Sequence, residues 1–161
     1  MRSNLKIIVA AMLMALIATA AVAAAPKKGK DRRNTTIALL SDAEDRGIAF
    51  CSKALTTAPN AKTLPKGLIK TAHFVENKAK GYVQVTGRMD SRKYQFRKGD
   101  DGGQCDLKAP HGSACAGYKS FVQLIEPDAN IYCVRCCKNK ADCPVNKSTY
   151  GCKKVLGGNY A

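Results

Sequence analysis

Histidine is almost missing from this chain: His73 and His111 are the only two in 161 residues. Cys133-Val134-Arg135-Cys136 has the spacing of half a zinc site, but zinc would need a second matched pair or histidines nearby. Both histidines lie far upstream. The strand-to-helix setting of a redox cysteine pair is missing too. No serine nucleophile elbow, phosphate-cradling glycine loop or zinc-binding helix motif occurs. Acidic residues are few, 12 against 27 lysines and arginines. The two carboxylates of a glycosidase would have to come from Asp90, Asp100, Asp101, Asp106 and Glu126, none of them in a recognisable setting. Asp100 to Asp106 could offer oxygens to a hard cation, but its composition fits an Asp/Gly turn closed by a disulfide better. Nothing repeats, and no long apolar run follows the one at the N-terminus. No cofactor, metal or membrane span of the mature chain is expected.

That first run is a leader in form. Arg2 and Lys6 precede an uncharged, alanine-rich stretch from Ile7 to Ala25, and Ala21-Val22-Ala23 offers the small-x-small pattern of a signal-peptidase site. Residues 1–23 therefore read as a signal peptide. Residues 24–34 are a basic tail, or a pro-segment cut after Arg32-Arg33. Residues 35–161 form one domain. Removing the leader takes two basic residues and no acidic one from a chain of net charge +15, so the exported protein stays strongly basic. In a eukaryotic secretory pathway, Asn34-Thr35-Thr36 and Asn146-Lys147-Ser148 fit the N-glycosylation pattern.

Eight cysteines in a small exported chain read as a disulfide framework. They are Cys51, Cys105, Cys115, Cys133, Cys136, Cys137, Cys143 and Cys152. Their connectivity stays open, because eight cysteines allow 105 pairings. Around Ile131 to Cys137 the chain reads as extended, and strand side chains alternate between faces. Cys133, Arg135 and Cys137 should share one face and Cys136 the other, so Cys136 and Cys137 should bond on opposite sides.

The expected fold is one α+β, or mostly β, domain with two antiparallel hairpins and an N-terminal helix. The helix expectation rests on Thr35 to Thr57, where Ser41 and Glu44 form a capping box and Ile48, Phe50, Ala54 and Leu55 supply an apolar face. The first hairpin pairs Leu68–Val75 with Gly81–Met89, though Pro65 could instead open a helix. The second pairs Phe121–Glu126 with Ile131–Cys137 across Pro127-Asp128-Ala129-Asn130. Between them lies a long, turn-rich loop, and the tail from Lys138 is irregular.

Several segments resemble a group of small secreted cysteine-rich proteins of filamentous fungi. They are Tyr82 to Arg88, Asp101-Gly102-Gly103-Gln104, Cys115-Ala116-Gly117-Tyr118, Phe121 to Pro127, Tyr132 to Cys137 and Asp142-Cys143-Pro144. The ending from Ser148 to Cys152 and on to Gly158-Asn159-Tyr160 belongs with them. The resemblance covers Lys66 to Tyr160. It implies an extracellular setting and carries no activity.

The clearest functional lead is positive charge. Lys66, Lys70, Lys78, Lys80, Arg88, Arg92, Lys93, Arg97 and Lys98 crowd one stretch, interleaved with Tyr82, Tyr94 and Phe96. Such a surface attracts polyanions, and neighbouring aromatics can stack on sugars or bases. The candidate binding residues are Arg88, Arg92, Lys93, Tyr94, Phe96, Arg97 and Lys98. The expected function is a monomeric, secreted, non-enzymatic protein associating with acidic polysaccharide or another polyanion at a cell wall or surface. In a host-associated organism that description extends to effector or antimicrobial roles. The alternative is a small secreted hydrolase such as a ribonuclease, using His73 and His111 with Lys70, Arg88 and Lys108 on the phosphate.

Overall fold

A computed structural model describes residues 39–42, 44, 50–51, 62–108, 115 and 117–161. The leader, the basic segment after it, Asn34 and His111 lie outside the described residues. Two short strands, β1 (Phe50–Cys51) and β2 (Lys62–Thr63), pair in parallel. The rest of the domain is built on one antiparallel sheet. Its strands are β3 (His73–Asn77), β4 (Tyr82–Arg88), β5 (Gly103–Asp106), β6 (Ser120–Glu126) and β7 (Ile131–Cys137), in the order β3-β4-β7-β6-β5. The second hairpin forms where alternation and turn chemistry place it; in the first, the strand pairing with β4 is His73–Asn77 rather than Leu68–Val75, and Ile69 makes only an isolated bridge to Met89. The two hairpins fuse through β4 and β7, which align Tyr82 with Cys137 and Arg88 with Ile131. Asn130 closes the second turn in the left-handed region, at φ 54°, which Asn tolerates better than most residues.

Three further expectations need correction. The domain is mostly β and has no N-terminal helix among the described residues. Asp42 N–H closes a turn on Leu39 O, Leu40 N–H donates to Asp100 Oδ2 at 3.1 Å, and Phe50–Cys51 is a strand. Glu44 does not complete a capping box with Ser41, because its carboxylate accepts from the backbone N–H of Gln104 on β5. A partner distant in sequence has outcompeted the local one. Ile48, Ala54 and Leu55 lie outside the described residues. The one α-helix among those described is α1 (Gly151–Val155), near the other end. Second, Pro65 opens a turn closed by Leu68 N–H to Pro65 O, and no helix follows it. Third, Gly103–Asp106, read as part of a loop, is edge strand β5.

Both faces of the sheet are covered, which explains why β6 and β7 read as almost unbroken apolar runs. On one face Val83, Val85, Phe121, Ile125, Tyr132 and Val134 pack with Leu40, Leu68 and Met89. On the other, Val122, Leu124 and Ile131 are covered by Val155 and Leu156 from the C-terminal tail. The bridges follow this division. Cys115–Cys136 belongs to the first face, and Cys133–Cys152 and Cys137–Cys143 to the second. Adjacent Cys136 and Cys137 thus bond on opposite sides, as strand alternation requires. Cys105 is buried in the first core with Leu40.

At the edges, Leu40, Ser41 and Glu44 lie against β5, whereas β3 carries exposed Phe74 and Val75. No helix among the described residues is long and apolar enough to cross a membrane.

Candidate functional site

Where β4 ends, the chain turns around one buried acid. Asp90 N–H donates to Leu68 O at 2.7 Å, and Met89 N–H donates to Asn130 O at 2.9 Å. Asp90 then caps the 3-10 turn Ser91–Lys93 by accepting from Arg92 N–H. The Arg92 side chain folds back so that Nε and Nη2 meet the two carboxylate oxygens at 2.8 and 3.0 Å. Ser91 is anchored separately, through its N–H and hydroxyl, to Asn130 Oδ1 at 3.0 and 2.9 Å. This short loop therefore has a defined shape.

Two cations meet that acid directly, Arg92 and Lys70. Lys70 Nζ lies 3.8 Å from Asp90 Oδ2. Its backbone N–H donates to Arg88 O, so Lys70 and Arg88 are held side by side. Lys93 folds back over Gly67, next to Lys66. Lys66, Lys70, Arg88, Arg92 and Lys93 are all exposed. The Arg92 side chain is 85% exposed despite its ion pair, which leaves the rest of its planar fork open to solvent for a second anion. The Arg92 guanidinium, through its hydrogen bonds first, holds the Asp90 carboxyl down at about 2. The acid thus stays ionised beside Arg92 and Lys70.

The expected site residues separate into groups. Arg88, Arg92 and Lys93 are exposed on the chain running into and out of Asp90. Tyr94 and Phe96 are half-buried, with ring centroids 5.0 Å apart, and pack against the first core. Arg97 and Lys98 are exposed beyond that pair, on the turn closed by Asp100 N–H to Arg97 O. Their surroundings are acidic: Asp101 follows directly, and Asp128 N–H donates to Asp100 O. The organiser that sequence reasoning missed is Asp90. Its signal was Asp90-Ser91-Arg92, a capping acid two residues before an arginine.

Of the residues named for hydrolysis, Arg88 and Lys70 belong to the basic segment just described. His73 Nε2, on β3, lies 3.1 Å from the main-chain oxygen of Ala161. Among the described residues no group of histidine, cysteine and acidic side chains is arranged to hold a metal ion.

Asp90 gives the site a pH signature. Its folded pKa lies below the ordinary carboxylate value, so the folded state binds fewer protons there than the unfolded chain. The stability it contributes is complete above about pH 4 and is lost as pH falls through about 2. Asp100 and Glu44 act in the opposite sense. Burial raises both, outweighing the backbone N–H groups that each accepts. In urea titrations, the stability gap between wild type and Asp90→Asn should be widest near neutrality and should close towards pH 2. A gap independent of pH would remove the ion pair from the account.

Two curated relatives from the fungus Mycosarcoma maydis are similar to this chain. Appressorium protein ROW1 is 29% identical over 143 residues, which cover 75% of this chain and 32% of the relative. Appressorium protein ROW2 is 29% identical over 141 residues, covering 75% of this chain and 46% of the relative. The chain thus spans about a third of the one and under half of the other. No family model matches, and no solved structure matches.

Proposed function

We propose that this chain is a secreted, non-enzymatic protein that binds acidic polymers of a cell wall or cell surface through the cations around Asp90. The observation that carries this reading is the loop itself: Asp90 held by Arg92 with Lys70 alongside, and exposed Lys66, Arg88 and Lys93 on the adjoining chain. Repulsion among like charges is tolerated there because the loop is pinned by Asn130 and Leu68, so an incoming anion meets donors already in place. A bridged, two-faced core is consistent with extracellular service. The distant likeness to two appressorium proteins of a fungus supports a fungal surface setting.

Retention on immobilised polygalacturonate or heparin should fall steeply between low and physiological salt, because each neutralised anion releases counterions. Lys66, Lys70, Arg88 and Lys93 changed together to Ser should remove most of the retention, with Arg92 left in place on Asp90. The slope of log affinity against log salt should drop by roughly one for each phosphate-like or carboxylate partner that a replaced cation no longer neutralises. Arg97→Ser with Lys98→Ser should change it little. If the two variants lose retention in proportion to charge alone, the local site is refuted and only a generally cationic surface is left.

A further inference from the structure

From the placement of Asn146 we infer that it is an N-glycosylation site, carrying an oligosaccharide rooted towards the β5 edge of the sheet. Asn146-Lys147-Ser148 meets the acceptor pattern, with lysine in the position where proline would forbid it. Patterns this short arise by chance, so location must decide, and three features of the location agree.

Asn146 is exposed and lies in irregular chain between the 3-10 turns Lys140–Asp142 and Ser148–Tyr150. Asn146 itself belongs to no strand or helix, so a transferase can engage it without opening a sheet ladder or a helical turn. Among the described residues nothing hydrogen-bonds its side-chain amide. By contrast, Asn77, Asn130 and Asn159 use theirs in turns and cross-contacts. The third feature is the surroundings. Val145, just before it, is half-buried against the second core, and its carbonyl accepts from Gln104 Nε2 at 2.7 Å. Cys143 and Cys152 anchor the segment on both sides. The loop is thus fixed to the sheet while Asn146 itself faces solvent, and a glycan there displaces no packed side chain.

The Gln104 contact also sets the glycan's side. Gln104 is on β5, three strands across the sheet from β4, whose end carries Arg88. At the usual strand spacing that is about 14 Å. A glycan at Asn146 is therefore rooted towards the β5 edge of the sheet, whereas Asp90 lies just beyond the end of β4.

The step requires a lipid-pyrophosphate-linked oligosaccharide and its transferase, which a eukaryotic secretory pathway supplies. The Asn146 amide nitrogen forms a bond to the anomeric carbon of the first sugar. The bond from that carbon to the phosphate oxygen breaks, the lipid pyrophosphate leaves with the electron pair, and the amide loses one proton. Nothing is oxidised or reduced.

The full chain should be produced in yeast with a host secretion leader ahead of residue 1, and the exported protein mapped by peptide mass with and without an amidase that removes N-glycans. The peptide containing Asn146 should carry hexose-rich oligosaccharide, and enzymatic release should convert Asn146 to aspartate. Asn146→Gln and Ser148→Ala should each abolish the modification, while Ser148→Thr retains it. Thr36→Ala, which disables only the upstream pattern, should leave it unchanged. An exported wild-type chain in which Asn146 is unmodified would overturn the assignment, as would a glycan that survives Ser148→Ala.

Discussion

Changing Cys133 and Cys152 together to alanine should destabilise the domain by about 3–5 kcal/mol, the larger effect among the bridges of the second face. The bond spans 19 residues, whereas Cys137–Cys143 spans 6. On loop-closure entropy alone these correspond to roughly 3 and roughly 2 kcal/mol. Packing widens the difference. Cys133 and Cys152 are fully buried between β7 and α1, so alanine also leaves unfilled volume in a close-packed interior. A helix of one turn has little stability of its own. Without its bridge, α1 depends on Glu126 accepting the Cys152 N–H and on Val155 and Leu156 packing against the sheet. Urea midpoints of the two double variants test the order, and equal losses would refute it. The same material settles the fourth bridge. Three bonds use six cysteines and leave Cys51 and Cys105 as the remaining pair. Cleavage without reductant should give a linked peptide holding both, and alkylation of the intact protein should label no thiol. Two labelled thiols would leave a three-bridge framework.

The cysteines also show how far sequence reasoning reached. Strand alternation placed Cys136 and Cys137 on opposite faces before any partner was known, because side-chain direction along a strand is a local property. The second hairpin and strand β4 of the first were readable for the same reason, since turn and alternation are contiguous there, whereas β3 forms five residues beyond the expected start. Features set by distant contacts were not. The pairing of β4 with β7 joins residues about fifty positions apart, and nothing in either strand announces it. Gly87 reads as a flaw in a strand. In the fold a Cβ there would lie 2.0 Å from Thr71 O, so glycine is what admits the segment leading into β3. The missing N-terminal helix has the same origin. Ser41 and Glu44 satisfied a local rule, but Leu40 and Glu44 found Asp100 and Gln104 sixty residues away. At the basic segment, composition shows only that cations crowd one stretch of chain. Only the fold separates Lys66, Lys70, Arg88, Arg92 and Lys93 from Arg97 and Lys98.

Arg135 is the second place where one substitution should act strongly. It lies on the tail-covered face of β7, and its charge is shared among neutral groups. Nε donates to Gln84 Oε1 at 2.8 Å, Nη1 to Asp142 O at 3.1 Å and Nη2 to Leu156 O at 3.1 Å. The guanidinium sits 4.3 Å from the Tyr82 ring centroid. One side chain thus ties β4 to both ends of the segment that covers this face. Burial lowers its pKa, yet an arginine remains charged at any pH where the protein folds. Arg135→Met keeps much of the apolar stem but leaves three acceptors without their donor. Stranded buried acceptors cost about 1–3 kcal/mol each and do not add fully, so a loss of about 3 kcal/mol is expected. Arg135→Lys should recover little, because a single ammonium cannot reach three acceptors spread across a planar fork. Exchange of the Leu156 and Gly157 amides, whose N–H groups close α1, should accelerate in both variants, while β6 stays protected. If Arg135→Lys lies within about 1 kcal/mol of wild type in urea, a point charge suffices and the fork geometry is not what holds the tail.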